Sequence, residues 1–194
     1  MSQNLINRVW QLLLILAMFA FSWLGLQAAH ESGHVLHAWA SGGTVTRVVL
    51  RPTTLSYTLV SPNPRPAFVA WGGPIWGCLF PLILWAAVRA AASRYAFLAR
   101  FFAGSCLVAN GVYLGASVLV GGSELDGPVI LANGGAIWPL PLFSLAAIAL
   151  GVVAWNGLGP NFGLGDSKGN VDRRAAILAA ALLGLTLLAE CLAP

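Results

Sequence analysis

Charged residues are scarce in this sequence. Asp, Glu, Lys and Arg together make up 8% of the 194 residues, whereas a typical soluble domain has about 25%. Hydrophobic residues account for 58% of the chain. A soluble protein of this composition would lack the polar side chains needed to cover its apolar core. We therefore predict an integral membrane protein, with the lipid bilayer as its partner.

Runs of basic residues and closely spaced cysteines are also missing. The ten Lys and Arg residues flank apolar stretches, which is typical of membrane anchors and argues against nucleic acid as a partner. The three cysteines, Cys78, Cys106 and Cys191, lack metal-ligand spacing and predict no disulfide framework. The length is that of a single membrane domain, 1–194, without a large soluble domain.

Five apolar segments predict membrane-spanning helices, because each approaches the roughly 20 residues that a helix needs to cross a bilayer. They are 9–29, which we expect to continue as helix to residue 40, and then 67–92, 97–120, 137–155 and 175–192. A signal peptide is the alternative interpretation of the first segment, but its apolar run exceeds the usual length of about 7–15 residues. The predicted fold is an all-α polytopic membrane protein with about five transmembrane helices.

A β-branched stretch lies between the first two predicted helices. Residues 44–50 and 55–60 alternate partly between apolar and polar side chains, and Pro52 interrupts them. This pattern predicts a small membrane-associated β-hairpin after the first helix. Strand backbone near a membrane must be paired, hydrated or covered by protein. An exposed edge of this hairpin is therefore a candidate surface for an extended peptide.

The residues that carry chemistry cluster at the end of the first helix, in the sequence His30-Glu31-Ser32-Gly33-His34. Residues four apart share one face of a helix, about 5–6 Å from each other. Two such imidazoles can hold one zinc ion, and Glu31 can act as the general base on a water. The alternative is a polar cap where the helix leaves the membrane. We expect His37, one turn further on, to be structural and not a ligand.

A catalytic zinc usually has a third protein ligand. Two further membrane crossings bring residues 123–127 back to the side of the two histidines, whereas Asp166 and Asp172 fall on the opposite side. Asp126 is the first choice for the third ligand, and the Gly-Pro that follows it predicts irregular backbone. Glu124 and Glu190 are the alternatives.

The two motifs, His-Glu-x-Gly-His at 30–34 and Leu-Asp-Gly at 125–127, resemble those of the site-2 protease family of intramembrane zinc metalloproteases. The resemblance implies that His30, His34 and Asp126 bind zinc and that Glu31 is the catalytic base. It also covers the hairpin and a Gly-Gly-Pro element at 72–74. The core, 9–130, would contain both motifs, and 131–194 would add two helices.

The resemblance implies a metalloendopeptidase that hydrolyses a peptide bond in or near a transmembrane segment of a membrane-protein substrate. It further implies a multi-pass protein of the plasma membrane of a prokaryote. Asn110, the only polar amide of the third segment, is a candidate for binding the substrate backbone, with an interhelical hydrogen bond as the alternative. Gly77 departs from the family pattern, in which an Asn often follows the Gly-Pro element.

Two other functions use the same residues. A metal-ion or proton transporter would use the His and Asp cluster as a transit site, but ionisable residues would then be distributed across the membrane. A non-catalytic relative would bind membrane proteins without cleaving them. The presence of Glu31 argues against this alternative, because a binding protein has no need of a general base.

Overall fold

The computed structural model describes residues 3–122 and 124–192. These residues are mostly helical, with one two-stranded antiparallel sheet. The elements in chain order are α1 Gln3–Ala40, β1 Val45–Val49, β2 Tyr57–Val60, α2 Pro66–Ala90, α3 Ala96–Val120, α4 Asp126–Ala132, α5 Pro139–Trp155 and α6 Arg173–Leu192, with two 3-10 turns at Gly159–Phe162 and Gly165–Ser167. Each of the five predicted segments is helical, and the predicted hairpin is present.

Three helices, α1, α2 and α3, are long and apolar enough to cross a membrane, and α5 with the 3-10 turns after it makes a fourth if this bent pair is one span. These helices indicate a membrane protein. The expected count of about five spans is not confirmed within residues 3–122 and 124–192. One reason is that α5 has only 17 residues, fewer than the roughly 20 that a crossing needs. The chain then bends by 65° into the 3-10 turns.

The first helix is much longer than a membrane crossing requires. Its 38 residues correspond to a length of about 57 Å, against a hydrocarbon core about 30 Å thick. No proline interrupts it. Large apolar side chains such as Leu16 and Phe19 are more than half exposed on its outer face, as expected for contact with lipid. His30 and His34 follow this apolar part, near the far end of the helix.

The N-terminal half of α1 belongs to the largest apolar cluster. Leu14 and Met18 are fully buried there, against Phe102 of α3 and Ala175 of α6. Gln11, also buried, donates from its side-chain nitrogen to the carbonyls of Phe162 and Gly163 at 3.0 and 2.9 Å. This amide joins α1 to the end of the first 3-10 turn, Gly159–Phe162. The N-terminal half of α1 is therefore packed against both α6 and the segment that precedes it.

The C-terminal half of α1 packs on α2 through glycine. A Cβ atom on Gly33 would lie 2.1 Å from the carbonyl oxygen of Gly72, and one on Gly72 would lie 2.4 Å from that of Gly33. Only hydrogen can occupy these positions, so the two helix backbones touch directly. The glycine inside the His-Glu-Ser-Gly-His motif therefore sets the distance between α1 and α2.

The hairpin lies against α1 and beside the histidines. Its strands pair antiparallel, with Val49 opposite Tyr57 and Val45 opposite Val60. Gln27 holds the loop between the strands: its side chain donates to the Arg51 carbonyl at 3.2 Å and accepts from the Ser56 backbone and hydroxyl, both at 2.8 Å. This contact places β2 next to the face of α1 that carries Glu31.

A glycine turn after α3 returns the chain to the site. Gly121 and Gly122 have φ values of +72° and +113°, a conformation that residues with a Cβ rarely adopt. The short helix α4 then begins at Asp126, which corrects the expectation of irregular backbone there. The helix forms because Pro128 lies in its first turn, where the missing N–H would have no intrahelical partner.

Candidate metal centre

Two histidine rings face the same point from one side of α1. His30 and His34 are one helical turn apart, and their ring centroids are separated by 4.8 Å. Their side chains are both 12% exposed, so the rings are mostly enclosed by protein. The Nε2 atoms of both rings point toward α2 and toward the start of α4.

The other ring nitrogens are fixed by hydrogen bonds. His30 Nδ1 lies 2.7 Å from Asn110 Oδ1, and His34 Nδ1 lies 2.9 Å from the carbonyl oxygen of Val69. A carbonyl oxygen can only accept, so each Nδ1 carries the proton. In the neutral rings each Nε2 is therefore left with a free lone pair. Histidine ligands of metals are typically oriented in this way by a second group behind the ring.

Asp126 closes the site from α4. One carboxylate oxygen, Oδ2, lies 3.0 Å from His30 Nε2, and the other, Oδ1, lies 3.4 Å from His34 Nε2. A buried cluster of apolar side chains from α2, α3, α4 and α5 holds the short helix in place, and its members are Ala70, Leu114, Ile130 and Leu140. The aspartate predicted as the third ligand is thus brought to both histidines.

These distances fit a shared cation. Metal–ligand bonds of about 2.0–2.2 Å in tetrahedral geometry place neighbouring ligand atoms about 3.3–3.6 Å apart. Asp126 Oδ2 is buried and has no hydrogen-bond partner among the described residues, although it lies 3.0 Å from His30 Nε2. The unsatisfied oxygen and the two free lone pairs suit a divalent metal ion.

Glu31 forms a group of its own with the two histidines, and this group does not include Asp126. One ligand atom from each of His30, Glu31 and His34 lies within 4.8 Å of the others, close enough for the three residues to hold a metal ion. Glu31 is also buried, and its Oε2 accepts a hydrogen bond of 2.7 Å from the hydroxyl of Thr58 on β2. Asp126 makes the closer approach to both Nε2 atoms. Asp126 is therefore the carboxylate closer to both Nε2 atoms, and Glu31 stands beside them.

Gly73 provides the space for the site on the α2 side. A Cβ atom there would lie 2.4 Å from His30 Nε2 and 2.5 Å from His34 Nε2. No side chain can therefore be accommodated at this position while both rings keep their orientation. The absence of a side chain leaves room where the two lone pairs point.

The structure gives Asn110 a role behind the ligand. The residue is 2% exposed, its Oδ1 contacts His30, and its Nδ2 donates to the Cys106 carbonyl at 2.8 Å. Both polar atoms of its amide therefore have partners within the protein. The contact with His30 joins α3 to α1, and it is the interhelical hydrogen bond given as the alternative to substrate binding. A Cβ on Gly77 would lie 2.8 Å from both atoms of this amide. The glycine that departs from the family pattern thus makes room for Asn110.

The remaining candidates lie outside the metal position. His37 Nδ1 is 2.6 Å from the Phe68 carbonyl, and its ring stacks on the Phe68 ring at 4.2 Å. It is a packing residue, as expected.

Glu124 lines the cavities beside the site, yet the described part of the chain shows no ion pair between it and a histidine. Glu190 lies near the end of α6. Neither alternative to Asp126 is brought to both rings.

Three residues that sequence reasoning missed contact the site. Thr58 donates to Glu31, and Gln27 holds the hairpin that carries Thr58. Tyr113 packs edge-on against His30, with ring centroids 5.3 Å apart, and its hydroxyl lies 3.4 Å from the backbone nitrogen of Asp126. The only sequence signal for Tyr113 is its position one turn after Asn110 on α3.

Two cavities adjoin His30 and Glu31. The larger, of about 650 Å³, extends along β2 past Thr58 and Asp126. The smaller, of about 270 Å³, lies between α1, α3 and the hairpin loop. His30 and Glu31 are in the walls of both. The site therefore adjoins cavities that together are large enough for a segment of polypeptide.

Comparison with known proteins does not identify the chain. No protein-family model, curated protein or solved structure matches it. The likeness of its two motifs to those of site-2 proteases therefore stays a prediction.

Proposed function

We propose that this protein is an intramembrane zinc metalloprotease of the site-2 type, hydrolysing a peptide bond in or near a transmembrane segment of another membrane protein. One observation carries the proposal. The Nε2 atoms of His30 and His34 and the carboxylate of Asp126 converge beside Gly73, and the buried carboxylate of Glu31 stands next to them. Two histidines and a carboxylate, with a second carboxylate as base, suit zinc-dependent hydrolysis.

His30, His34 and Asp126 would hold the zinc ion. When bound, zinc supplies a Lewis acid that polarises a carbonyl and acidifies a water. Glu31 acts as the general base: it takes a proton from the attacking water and delivers it to the leaving amine nitrogen. Thr58 donates to Glu31 Oε2, which orients the carboxylate. Among the described residues Oε1 makes no hydrogen bond, so it is the oxygen available for the proton.

The hairpin supports a peptide as the substrate. A peptide bond inside a membrane helix is covered by its own hydrogen bonds, so the substrate must be extended at the site. An extended segment needs partners for its N–H and C=O groups, and adding it to the edge of β2 would provide them. The strand lies in the wall of the larger cavity, beside Thr58 and Glu31.

The three apolar helices support a multi-pass membrane protein, and the proposal takes the plasma membrane as its location and α5 and α6 as the remaining spans. The positive-inside rule would place the N-terminus in the cytoplasm and the site, at the far end of α1, toward the other face. The family resemblance implies instead a site that opens toward the cytoplasm, and the orientation is not part of the proposal.

The charge distribution disfavours a transporter. The buried charged residues of the described chain are Glu31 and Asp126, and both lie at the one level of the histidines. A transit path for ions typically has ionisable residues at several depths. A non-catalytic binding protein would not need a buried glutamate facing a water-accessible cavity beside a metal position.

The test combines metal content with proteolysis. The full chain would be purified in detergent together with Asp126→Ala and Glu31→Gln variants, with Asp166→Ala as the control because Asp166 is an exposed carboxylate. Bound zinc would be measured by mass spectrometry, and cleavage would be followed on a panel of single-span membrane proteins.

We expect about one zinc per chain, lost in Asp126→Ala and kept in Glu31→Gln, with cleavage abolished in both variants and retained in Asp166→Ala. A native protein without stoichiometric metal would overturn the proposal. Zinc without cleavage of any substrate would favour the transporter or the binding protein, and metal flux into liposomes would separate these two.

A further inference from the structure

The smaller cavity beside the site has a largely apolar wall. Helix α1, the hairpin and α3 each contribute to it, and the apolar lining residues include Trp23, Leu26, Leu55, Tyr57, Ala109 and Leu125. Polar residues complete the wall, among them His30, Glu31 and Glu124. A largely apolar cavity beside the groups proposed to be catalytic suits the side chain of a substrate, because the adjoining backbone then reaches the reacting atoms.

The volume limits what this cavity can hold. It measures about 270 Å³, whereas small-molecule sites usually have about 300–1,000 Å³. An apolar cavity of about 150 Å³ is enough to bind benzene. The space therefore suits one aromatic or branched aliphatic side chain and is small for a complete ligand. Ala109, the smallest of the apolar lining residues, leaves room on the α3 side.

The two cavities share part of their lining. Ser56, Tyr57, Tyr113 and Glu124 line both, as do His30 and Glu31. The larger cavity has polar groups that the smaller one lacks, and these include His34, Thr58, Asn63 and Asp126. A segment lying along β2 in the larger cavity can therefore place one side chain in the smaller one while its backbone passes Glu31.

The hairpin wall of the smaller cavity is fixed in advance. Trp23 donates from its indole nitrogen to the Pro52 carbonyl at 2.7 Å, and Gln27 holds Arg51 and Ser56. These contacts hold the loop that carries Leu55. A cavity whose walls are already ordered discriminates by size, because little entropy is lost when a fitting side chain enters.

We infer that this cavity is the specificity pocket of the enzyme and that it accepts one bulky apolar side chain, such as Leu or Phe, from the residue next to the scissile bond. The inference rests on the proposed function and extends it to the class of substrate. Membrane segments rich in Leu and Phe are then recognised at one position by size, while the polar cavity accepts the neighbouring residues.

The test measures binding directly. Labelled host peptides of Gly, Ser and Thr would carry Ala, Leu or Phe at one central position, and their affinity for the full-length protein in detergent would be measured by fluorescence anisotropy. The measurement would be made on metal-loaded protein and again after chelation. We expect the Leu and Phe peptides to bind about tenfold or more tightly than the Ala peptide, because the cavity removes their side chains from water.

Three variants locate the effect. Ala109→Phe fills the cavity and should abolish the preference for Leu and Phe without weakening the Ala peptide. Ala149→Phe is the matched control, because Ala149 is exposed on α5 and the preference should be unchanged. Leu55→Ala removes part of the cavity wall. The Leu55 side chain is 57% exposed, so the substitution should not impair folding. It should weaken the binding of the Leu and Phe peptides only.

Equal binding of the three peptides, or no detectable binding of any, would overturn the inference, as would a preference that survives Ala109→Phe. Occupation by a lipid acyl chain would appear as a loss of the preference when lipid is added, and this result also counts against it. Failure of the proposed function looks different: the preference persists in chelated protein, but metal-loaded protein hydrolyses no peptide.

Discussion

The two halves of α1 pack in opposite ways. The N-terminal half buries large apolar side chains, with Leu14 and Met18 fully enclosed between α3 and α6. The C-terminal half buries His30 and Glu31 and meets α2 at Gly33 through backbone atoms. The N-terminal half therefore packs through large side chains. The C-terminal half packs through direct contact between the backbones of α1 and α2 and leaves space for the site.

This difference separates stability from function along a single helix. Filled volume stabilises a fold through many dispersion contacts, and loss of one large side chain leaves a cavity. Close backbone contact instead fixes the positions of polar groups that must converge. Substitutions in the first half should therefore lower stability and spare the site, whereas substitutions of the polar groups in the second half should disable the site and spare stability.

The largest effect is expected from Gly73→Ala. The added methyl group would meet the Nε2 atoms of His30 and His34 at 2.4 and 2.5 Å, so both rings must turn away and the metal should be lost. The fold should persist, because Ala is favoured over Gly in a helix interior by up to about 1 kcal/mol. Zinc analysis and circular dichroism of the purified variant would measure the two quantities.

Gly184→Ala is the matched control for this change. No atom lies within 4 Å of a Cβ built on Gly184 of α6, so the variant should bind metal like the native protein. Full metal occupancy in Gly73→Ala would contradict the site geometry given above.

Leu14→Ala tests the first half of α1. Its side chain is 0% exposed, and truncation of a buried leucine lowers stability by about 2–5 kcal/mol. Metal stoichiometry should not change, because Leu14 is about 24 Å along the helix from His30. Thermal unfolding in detergent would be compared with that of Leu16→Ala, whose side chain is 65% exposed. Loss of metal from Leu14→Ala at a temperature below its unfolding transition would show that the two halves of α1 are coupled.

Asn110→Ala should have a smaller effect at the site. It removes the acceptor behind His30, and loss of such a group typically lowers metal affinity about 10–100-fold. Competition with a chelator of known affinity would measure the change. Asn110→Asp keeps an acceptor oxygen and should recover most of the affinity, whereas equal loss in both variants would indicate a packing defect.

Gln27→Ala should have the smallest effect, confined to the hairpin. It leaves the Ser56 amide and the Arg51 carbonyl without their partner, so the loop should open more often. We expect hydrogen exchange of the Ser56 amide to become about tenfold faster, with zinc content unchanged. Unchanged exchange would mean that Trp23 alone holds the loop.

Local patterns predicted which side chains come together at the site. The spacing of His30 and His34 follows from the helical period, and counting membrane crossings favoured Asp126 over Glu124 and Glu190. The hydrogen bond between Thr58 and Glu31 joins residues 27 positions apart, and its presence depends on how the hairpin docks, which no local pattern encodes. For the same reason Asn110 could be proposed as a site residue but not assigned to His30.

The number of spans was harder to predict than the site. Apolar composition identified every long helix, but it cannot tell whether α5, with 17 residues, crosses a bilayer or bends with the turns that follow it. In the sequence, Gly72 and Gly73 only resemble a family element. The structure gives the physical reason for both glycines: Gly73 lies against the Nε2 atoms of His30 and His34, and Gly72 lies against the carbonyl oxygen of Gly33.

The contact between Gly33 and Gly72 has a consequence for mutational surveys of this protein. Any replacement at either position adds an atom where a carbonyl oxygen already lies, so both should score as intolerant as the histidines in a selection for activity. The abundance of each variant in the same cells would distinguish the glycine variants from the histidine variants. Chains altered at the glycines should be degraded, whereas chains altered at His30 or His34 should accumulate as inactive protein.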